Sequence, residues 1–385
     1  MRSSLASAAC LLPLLASAAC LGDGDDHADD GALFEEAYEQ NQDGKADGAG
    51  CSGVRVPDAG PFGGRIALTF DDGPNPATTP RVLAALRARG LPATFFTNGS
   101  RYAAPGAAAL AAEIAADPQF ILANHSQRHV NLATLSLDAV AREVDGTDAL
   151  IRTAGDTPRY FRFPFGSATC ASAELVRARG YTVTGWHIDS ADWCYAAGGG
   201  VCKASTFRYV PDALRDDMTG YVMSQVRAHD GGIILFHDIH GHTADALPAI
   251  LDRLIADGYT FVSLDDEATF PKLHGVTPPF IGTPCETDDA CAFTAGGAAG
   301  RCHPAGFCTT ACEGACPDRV GAAPTYCIAD GLAPPEAGPA GTCVSRPAAV
   351  NQACAALPQT ERRVEARFVG DSGASPGQAE VCAPL

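Results

Sequence analysis

Residues 65–74 read RIALTFDDGP, an apolar run that ends in two carboxylates, a glycine and a proline. An apolar run of this length, closed by turn-forming residues, is typical of a buried β-strand. The tetrapeptide Asp-Asp-Gly-Pro is by itself an ordinary turn sequence. Its position directly after a strand, however, places Asp71 and Asp72 at the carboxyl end of that strand.

Short β-rich runs alternate with Ala- and Leu-rich segments from residue 65 to residue 262. The predicted strands are residues 66–70, 93–97, 120–124, 160–163, 182–187, 232–236 and 259–262, and the predicted helices are 80–89, 106–116, 137–152, 171–179, 211–228 and 244–256. This alternation predicts an α/β fold with a parallel sheet closed into a (β/α) barrel, with an open doubly wound sheet as the alternative. No GxGxxG or P-loop follows the first strand, so the pattern gives no support to nucleotide binding.

The first 20 residues are typical of an export signal. Arg2 supplies the positive start, and residues 5–19 form an apolar run that is too short to span a membrane. Cys20 follows Ser-Ala-Ala, which resembles a bacterial lipoprotein cleavage site except that leucine is preferred at Ser17. We therefore expect an exported protein, either anchored to a membrane through a lipid on Cys20 or simply secreted.

The charge of the chain is strongly negative and unevenly distributed. The net charge of −18 argues against nucleic-acid binding. Residues 21–50 hold seven Asp and three Glu against one Lys, a net charge of −9. This segment is Gly-rich and lacks an apolar period, so it is predicted to be a disordered linker.

Sixteen cysteines indicate an oxidising compartment. Leaving out Cys10 in the signal and Cys20 as the anchor, four cysteines lie before residue 210 and ten lie after residue 284. Each group is even and can pair internally, which predicts two disulfide-closed units. We divide the chain into a catalytic domain at 51–270, a linker at 271–282 and a Cys-rich disulfide module at 283–385.

Ionisable side chains occur at the ends of five of the predicted strands. They are Asp71 and Asp72 after the first strand, His125 and His129 after the third, Arg162 in the fourth, Asp189 after the fifth and His237 after the sixth. In a β/α barrel the carboxyl ends of the strands share one face, where active sites are built. We therefore expect these side chains to share one site.

His125 and His129 are four residues apart, so on a helical turn both imidazoles face the same way and suit a divalent metal, as in the HExxH motif. Here a serine replaces the glutamate, and the motif brings no general base. Asp71 and Asp72 can supply a third ligand and the base, and spacing alone does not say which does which. Two His and one carboxylate leave positions open for water and substrate, as in catalytic zinc sites. His237 is the candidate acid for a leaving amine.

Five motifs occur in order along the catalytic domain: TFDDGP at 69–74, HSQRH at 125–129, RFPFG at 162–166, DSADW at 189–193 and LFH at 235–237. With these motifs the chain resembles the polysaccharide deacetylase family, also called the NodB-homology or carbohydrate esterase family 4 domain. The resemblance covers roughly residues 64–268, and the first two motifs are highly specific. It implies a distorted (β/α) barrel of seven to eight strands and the hydrolysis of N-acetyl or O-acetyl groups on sugars.

The resemblance also implies a role for each matching residue. By it, Asp71 is the general base, Asp72, His125 and His129 hold the metal, Arg162 orients Asp71, Asp189 hydrogen-bonds the general acid His237, and Leu235 and Trp193 line the acetyl pocket and groove. Zinc is the expected ion for two His and one carboxylate, and cobalt and nickel are the alternatives because ligand type does not settle the metal.

Two features depart from the family pattern. Phe165 stands where many members carry tyrosine, so a phenol contact is lost while the backbone N–H that helps to hold the oxyanion is kept. Cys194 and Cys202 bracket a Gly-rich loop directly after Trp193, which predicts a disulfide-pinned loop at the rim of the site. We expect this loop to affect the choice of substrate.

Several weaker signals favour a structural interpretation. His240 and His242 are predicted to lie in a surface loop, and His187 inside the barrel. Cys308, Cys312 and Cys316 could bind zinc, but disulfides are the better interpretation in an exported chain.

The leading hypothesis is a metal-dependent N-deacetylase of GlcNAc-containing polysaccharide, with peptidoglycan or a chitin-like polymer as substrate. O-deacetylation of acetylated xylan uses the same residues and is the second hypothesis. A carbohydrate-binding or adhesion protein with an accessory catalytic domain is the third, and the intact catalytic set argues against it. The tail is predicted to bind glycan, cell wall or a protein.

Overall fold

The computed structural model describes residue 58 and residues 60–276, 278–295, 297–319, 322–329, 341–369 and 377–385. The predicted export signal, Cys20 and the acidic segment 21–50 lie outside the described residues. The chain divides into two compact units, of which the first ends at Leu273 and the second spans His274–Leu385. This boundary falls inside the segment 271–282 that the sequence predicts as a linker.

Strands and helices alternate through the described part of the first unit. The strands are β1 (Arg65–Asp71), β2 (Ala93–Thr97), β3 (Phe120–Asn124), β4 (Tyr160–Phe161), β5 (Thr182–Val183), β6 (Ile188–Asp189), β7 (Gly231–His237) and β8 (Thr260–Phe261). The α-helices are α1 (Thr79–Arg87), α2 (Ala107–Ala116), α3 (Leu137–Ala154), α4 (Cys170–Ala178), α5 (Asp192–Ala197), α6 (Met218–His229) and α7 (Gly241–Ala256).

All pairings in this sheet are parallel, in the order β5-β4-β3-β2-β1-β7-β6, with β8 added to the start of β1. The prediction of a distorted (β/α) barrel is confirmed. The distortion lies between β5 and β6, where the predicted strand 182–187 is interrupted. There the carbonyl of Gly185 accepts a hydrogen bond from the Arg162 side chain, and the amide of His187 donates to Ile233 of β7. The amide of Thr184 still donates to Phe161 of β4, so the chain changes its pairing partner from β4 to β7 within the predicted strand.

Two helices differ from the sequence-based expectation. The predicted helix 211–228 begins only at Met218, because the side chain of Asp217 accepts from the amide of Gly220 and caps the helix there. The helix α5 was not predicted, since six residues are too few to show a helical period. Both differences lie in the segment that connects β6 to β7.

The core of the barrel is centred on β1. The ring of Phe70 stacks on Phe95 of β2 at 5.2 Å and on Phe236 of β7 at 5.6 Å, measured between ring centroids. All three side chains are buried. On the opposite side of the sheet, His187 is stacked against Phe270 and its Nε2 contacts the carbonyl oxygen of Asp58, so the prediction that His187 is a barrel residue is confirmed.

The second unit consists of short antiparallel strands joined by disulfides. Its strands are Thr294–Ala295, Ala298–Ala299, Arg301–Cys302, Cys308–Thr309, Ala311–Cys312, Thr325–Ile328, Gly341–Ser345, Thr360–Ala366 and Gln378–Pro384, numbered β9 to β17. Its bridges are Cys285–Cys302, Cys291–Cys308, Cys312–Cys327, Cys316–Cys343 and Cys354–Cys382. The predicted internal pairing of all ten cysteines is confirmed, and in the first unit Cys194 pairs with Cys202 as expected.

None of the helices in the described ranges is both long and apolar enough to cross a bilayer.

The aromatic stack around β1 gives a first prediction. Replacing the fully buried Phe70 by alanine leaves a cavity between two rings and should destabilise the barrel by roughly 3–5 kcal/mol. Urea unfolding followed by circular dichroism measures this change. Ile255→Ala on α7, where the side chain is 44% exposed, is the control and should shift the midpoint little. Equal shifts in the two variants would show that β1 is not the centre of the core.

Candidate active site

The residues predicted to do chemistry converge on one pocket at the carboxyl ends of the strands. The pocket is lined by Asp71, Asp72, His125, His129, Phe163, Phe165, Trp186, Trp193, Leu235, His237 and His240. The parallel register places Asp71 of β1 directly beside His237 of β7. Eight of the ten predicted site residues therefore line the pocket itself, while Arg162 and Asp189 lie behind its wall.

Asp72, His125 and His129 form a candidate metal site. The Oδ1 atom of Asp72 lies 3.5 Å from Nε2 of His125 and 3.3 Å from Nε2 of His129. Nε2 of His125 also lies 3.6 Å from Oδ2 of Asp71. The three nitrogen and oxygen atoms thus surround one point, which leaves the pocket side open for water and substrate.

The protonation of these groups fits a divalent cation. Burial lowers the pKa of His125, so its imidazole is neutral as a metal ligand must be. Burial would raise the pKa of the Asp72 carboxyl, but His129, His237 and His125 hold it below its usual range. Among the described residues, Oδ1 of Asp72 is buried without a hydrogen-bond partner. A buried, ionised oxygen of this kind is stabilised by a cation.

The Nδ1 atom of His125 lies 2.8 Å from the carbonyl oxygen of Arg162. A hydrogen bond there keeps the proton on Nδ1 and directs the lone pair of Nε2 toward the site, as is usual for histidine ligands of metals. Arg162, which directly follows β4, therefore orients His125, which directly follows the neighbouring strand β3.

The backbone is bent sharply at several points around the pocket. Asp72, Ser126, His129, Phe165 and Ala191 all have positive φ angles, between 52° and 75°. Non-glycine residues rarely adopt this conformation, and each costs on the order of 1–3 kcal/mol. The loops accept this cost because the surrounding hydrogen bonds hold them; the carboxamide of Asn124, for instance, accepts from the amide of Ser126.

Asp71 and Asp72 are adjacent in the chain but have different partners. Oδ1 of Asp71 accepts a hydrogen bond from Nη1 of the buried Arg162 at 2.8 Å. Nη1 also donates to Thr69, and Nη2 donates to the carbonyl of Gly185. Arg162 thus fixes Asp71 in one orientation and leaves its Oδ2 facing the pocket, in agreement with the expected contact.

The prediction that Asp189 forms a hydrogen bond with His237 is wrong. Nδ1 of His237 lies 2.8 Å from Oδ1 of Asp192, and Oδ2 of Asp192 accepts from the amide of His237 and from Thr243. Asp192 stands at the first turn of α5, which the sequence analysis did not foresee. That helix turns the Asp192 carboxylate inward beneath His237.

Asp189 instead supports the turn between β6 and α5. Its Oδ1 accepts from the amide of Ala191 at 2.7 Å. Burial raises the pKa of Asp189 to about 7, although the hydrogen bond from the Ala191 amide and the charge of His237 oppose the change.

The environment of His237 favours its acidic form. Burial would lower the pKa of His237, but the charge and hydrogen bond of Asp192, followed by Asp72 and Asp71, raise it to about 10. A buried imidazole that keeps its proton near neutral pH is suited to act as a general acid.

The remaining wall of the pocket is apolar and aromatic. Phe165, Trp193 and Leu235 lie there as predicted, and Phe165 packs against the ring of His129 at 4.6 Å. The sequence analysis missed Phe163 and Trp186. Phe163 lies inside the motif at 162–166 and Trp186 lies three residues before the motif at 189–193, so their positions near the motifs could have indicated them.

His240 is a further correction. It was expected in a surface loop, yet it lines the pocket with its ring 5.8 Å from that of His237. The reason is that β7 ends at His237 and α7 begins at Gly241, so the connection is too short to carry His240 away from the site. His242 is stacked on Tyr195 instead.

Comparison with known proteins agrees with this geometry. Residues 61–184 match the model of the polysaccharide deacetylase family. The peptidoglycan-N-acetylglucosamine deacetylase PgdA of Listeria monocytogenes is 33% identical over 219 residues, which cover 56% of this chain and 41% of that protein. The peptidoglycan-N-acetylmuramic acid deacetylase PdaC of Bacillus subtilis is 32% identical over 209 residues, which cover 52% of this chain and 38% of that protein.

Among solved structures, a family 4 carbohydrate esterase from Streptomyces lividans, in complex with acetate, is 31% identical with a TM-score of 0.41, and the match covers 52% of this chain and 91% of that one. The chain spans about two fifths of the length of the two curated relatives quoted above. The α/β barrel, with metal-binding and acid–base side chains at the ends of its strands, has the arrangement of a hydrolase active site. The first unit belongs to the polysaccharide deacetylase family, and the five motifs quoted above all lie in it.

The contact between His237 and Asp192 gives a second prediction. Asp192→Asn removes the charge that raises the pKa of His237, so the acidic form is lost at a lower pH. The alkaline limb of the kcat profile should move to lower pH, and kcat should fall by roughly tenfold to a hundredfold.

Asp189→Asn is the matched variant, because it neutralises the other buried carboxylate of the same motif. It should leave the alkaline limb near its wild-type position. A shift of the limb in Asp189→Asn and none in Asp192→Asn would restore the assignment implied by family resemblance. Thermal melts of both variants show whether either loses its fold.

Proposed function

We propose that this chain is an exported, metal-dependent deacetylase that hydrolyses N-acetyl groups of GlcNAc-containing polysaccharide, with peptidoglycan as the substrate. One observation carries the proposal: a carboxylate–histidine metal site, an oriented carboxylate and an acidic histidine face one pocket with an apolar wall. The names of the relatives, which are peptidoglycan deacetylases in both cases quoted above, support the choice of polymer.

Asp72, His125 and His129 would hold the cation, which we take to be zinc, with cobalt and nickel as alternatives. A divalent cation bound there supplies Lewis-acid activation of the acetyl carbonyl and of the attacking water.

Asp71 acts as the general base. Its Oδ1 is held by Arg162, so Oδ2 is the oxygen that takes the proton from the attacking water. Because Arg162 is buried and makes hydrogen bonds to Thr69 and Gly185 as well, it keeps Asp71 in place during proton transfer. Asp71 is thus proposed to act as the base and Asp72 to bind the metal.

His237 acts as the general acid. As the water oxygen bonds to the carbonyl carbon and the C–N bond breaks, Nε2 of His237 gives its proton to the leaving nitrogen. The products are acetate and a free amine on the sugar. Asp192 accepts the hydrogen bond from Nδ1 and stabilises the charged imidazolium before the proton leaves.

The apolar wall would receive the acetyl methyl group. Leu235 and Phe165 are buried, and Trp193 is partly exposed at the edge of the pocket. We propose that the backbone N–H at Phe165 helps to stabilise the oxyanion, as family resemblance implies.

Two further parts of the chain enter the proposal. The apolar start and Cys20 support export, with a lipid anchor on Cys20 as the finer proposal. The second unit, closed by five bridges, is proposed to be a separate module that binds glycan, cell wall or a protein.

A third prediction tests the metal. His129→Ala removes one of three ligands and should abolish acetate release while the barrel stays folded. Bound metal, measured by mass spectrometry of the purified protein, should fall with it. The control is His229→Ala at the end of α6, which should keep both metal and activity. Full activity of the wild-type protein after treatment with chelator would contradict the mechanism.

A fourth prediction separates the base from the ligand. Asp71→Asn should keep metal content near normal and lower kcat by roughly two to four orders of magnitude. Asp72→Asn should lose the metal. Acetate release from peptidoglycan, chitooligosaccharide and acetylxylan should be measured in parallel, because preference for acetylxylan would replace N-deacetylation with O-deacetylation. The reverse metal pattern would mean that the two carboxylates exchange roles.

A further inference from the structure

The segment 198–217, here called the rim segment, connects α5 to α6. The helix α5 follows the carboxyl end of β6, and α6 runs back toward the amino end of β7. Both ends of the rim segment therefore lie on the same face of the barrel as the catalytic pocket. No step of the proposed mechanism uses it.

The rim segment is held in one conformation by covalent and polar contacts. The Cys194–Cys202 disulfide ties its first part to α5, and the amide of Cys202 donates to the carbonyl of Arg215 at 2.7 Å. Nη1 of Arg215 donates in turn to the carbonyls of Cys202 at 3.0 Å and Phe207 at 3.1 Å. A segment fixed in this way loses little entropy when it binds a ligand.

A row of aromatic rings runs from the pocket into the rim segment. Trp193, in the pocket wall, packs edge-on against the buried Phe207 with ring centroids 5.2 Å apart. Phe207 packs against Tyr209 at 5.3 Å. The guanidinium of Arg208 lies over the ring of the partly exposed Tyr209 at 5.0 Å and donates to its hydroxyl at 2.9 Å.

The rim segment also lies close to the start of α7. A Cβ atom added at Gly200 would lie 3.6 Å from the ring of His242. His242 is in the first turn of α7, two residues after His240 of the pocket wall. The rim segment therefore packs against the pocket wall at Trp193 and lies beside the start of α7.

We propose that Tyr209 and Arg208 form a sugar-binding subsite that holds a neighbouring sugar of the chain whose acetyl group occupies the pocket. The ligand is an oligosaccharide, and the reaction it undergoes rests on the function proposed above. A tyrosine ring offers an apolar face to the C–H groups of a sugar and a polar tip to the water side. The planar guanidinium donates hydrogen bonds to sugar hydroxyls. Because the partly exposed Tyr209 lies two ring contacts from Trp193 of the pocket wall, it is placed to contact a sugar next to the one whose acetyl group occupies the pocket.

The test compares chitobiose with chitohexaose. Tyr209→Ala should lower kcat/KM for the hexamer relative to the dimer by roughly fivefold to tenfold, mainly through KM, because binding common to ground and transition state is lost. Tyr209→Phe keeps the ring and should retain most of the ratio. The matched control is Tyr259→Ala, a partly buried tyrosine next to β8 at the opposite end of the barrel, which should leave the ratio unchanged.

Calorimetric titration of chitohexaose into metal-stripped protein measures the subsite without turnover, and Tyr209→Ala should raise Kd by a similar factor. If the wild-type protein binds the hexamer through Tyr209 but releases no acetate with metal present, the proposed function fails and the subsite stands. An unchanged ratio with unchanged Kd, equal losses on both substrates, or no binding of the hexamer to the wild-type protein would each overturn the subsite.

Discussion

The buried side chain of Arg162 connects the pocket residue Asp71 to the neighbouring strands of the first unit. Its nitrogens donate hydrogen bonds to Asp71 and Thr69 of β1 and to the carbonyl of Gly185 between β5 and β6. The backbone carbonyl of Arg162 contacts Nδ1 of His125. Leaving such a charge buried without its partner costs on the order of 3–5 kcal/mol, so the surrounding strands are held to one arrangement. The ring of Phe96 covers the guanidinium at 4.1 Å and excludes water from it.

The same guanidinium explains why two adjacent carboxylates have different chemistry. Asp71 is engaged by Arg162 through one oxygen, whereas Asp72, in a left-handed backbone conformation, turns toward His125 and His129. Because successive side chains of a strand point to opposite faces, two neighbouring residues reach one pocket only if the chain bends between them. The positive φ of Asp72 produces that bend. Its conformational cost allows the two adjacent carboxylates, the proposed base and the proposed metal ligand, to face the same pocket.

Much of the barrel was predictable because its signal is local. The strands 93–97 and 120–124 match the observed β2 and β3 at both ends, since each is a short apolar run bounded by turn residues. The five motifs likewise follow strand ends, and parallel strands bring their carboxyl ends together whatever the details of the sheet. Eight of the ten predicted site residues line the pocket for this reason. The pairing of the ten cysteines of the second unit with one another followed from the uneven distribution of cysteines along the chain.

The amino-acid sequence by itself determined the alternation of strands and helices, the metal-ligand spacing of His125 and His129, and the separation of the Cys-rich tail, because each depends on neighbours in the chain. Only the tertiary structure decided that Asp192 rather than Asp189 holds His237, that His240 faces the pocket, and that the row of rings continues to Tyr209. These contacts join residues on different elements, such as Asp192 on α5 and His237 on β7. No local pattern encodes which of two nearby carboxylates a short helix turns inward, since that choice is made by packing against the strand beneath it.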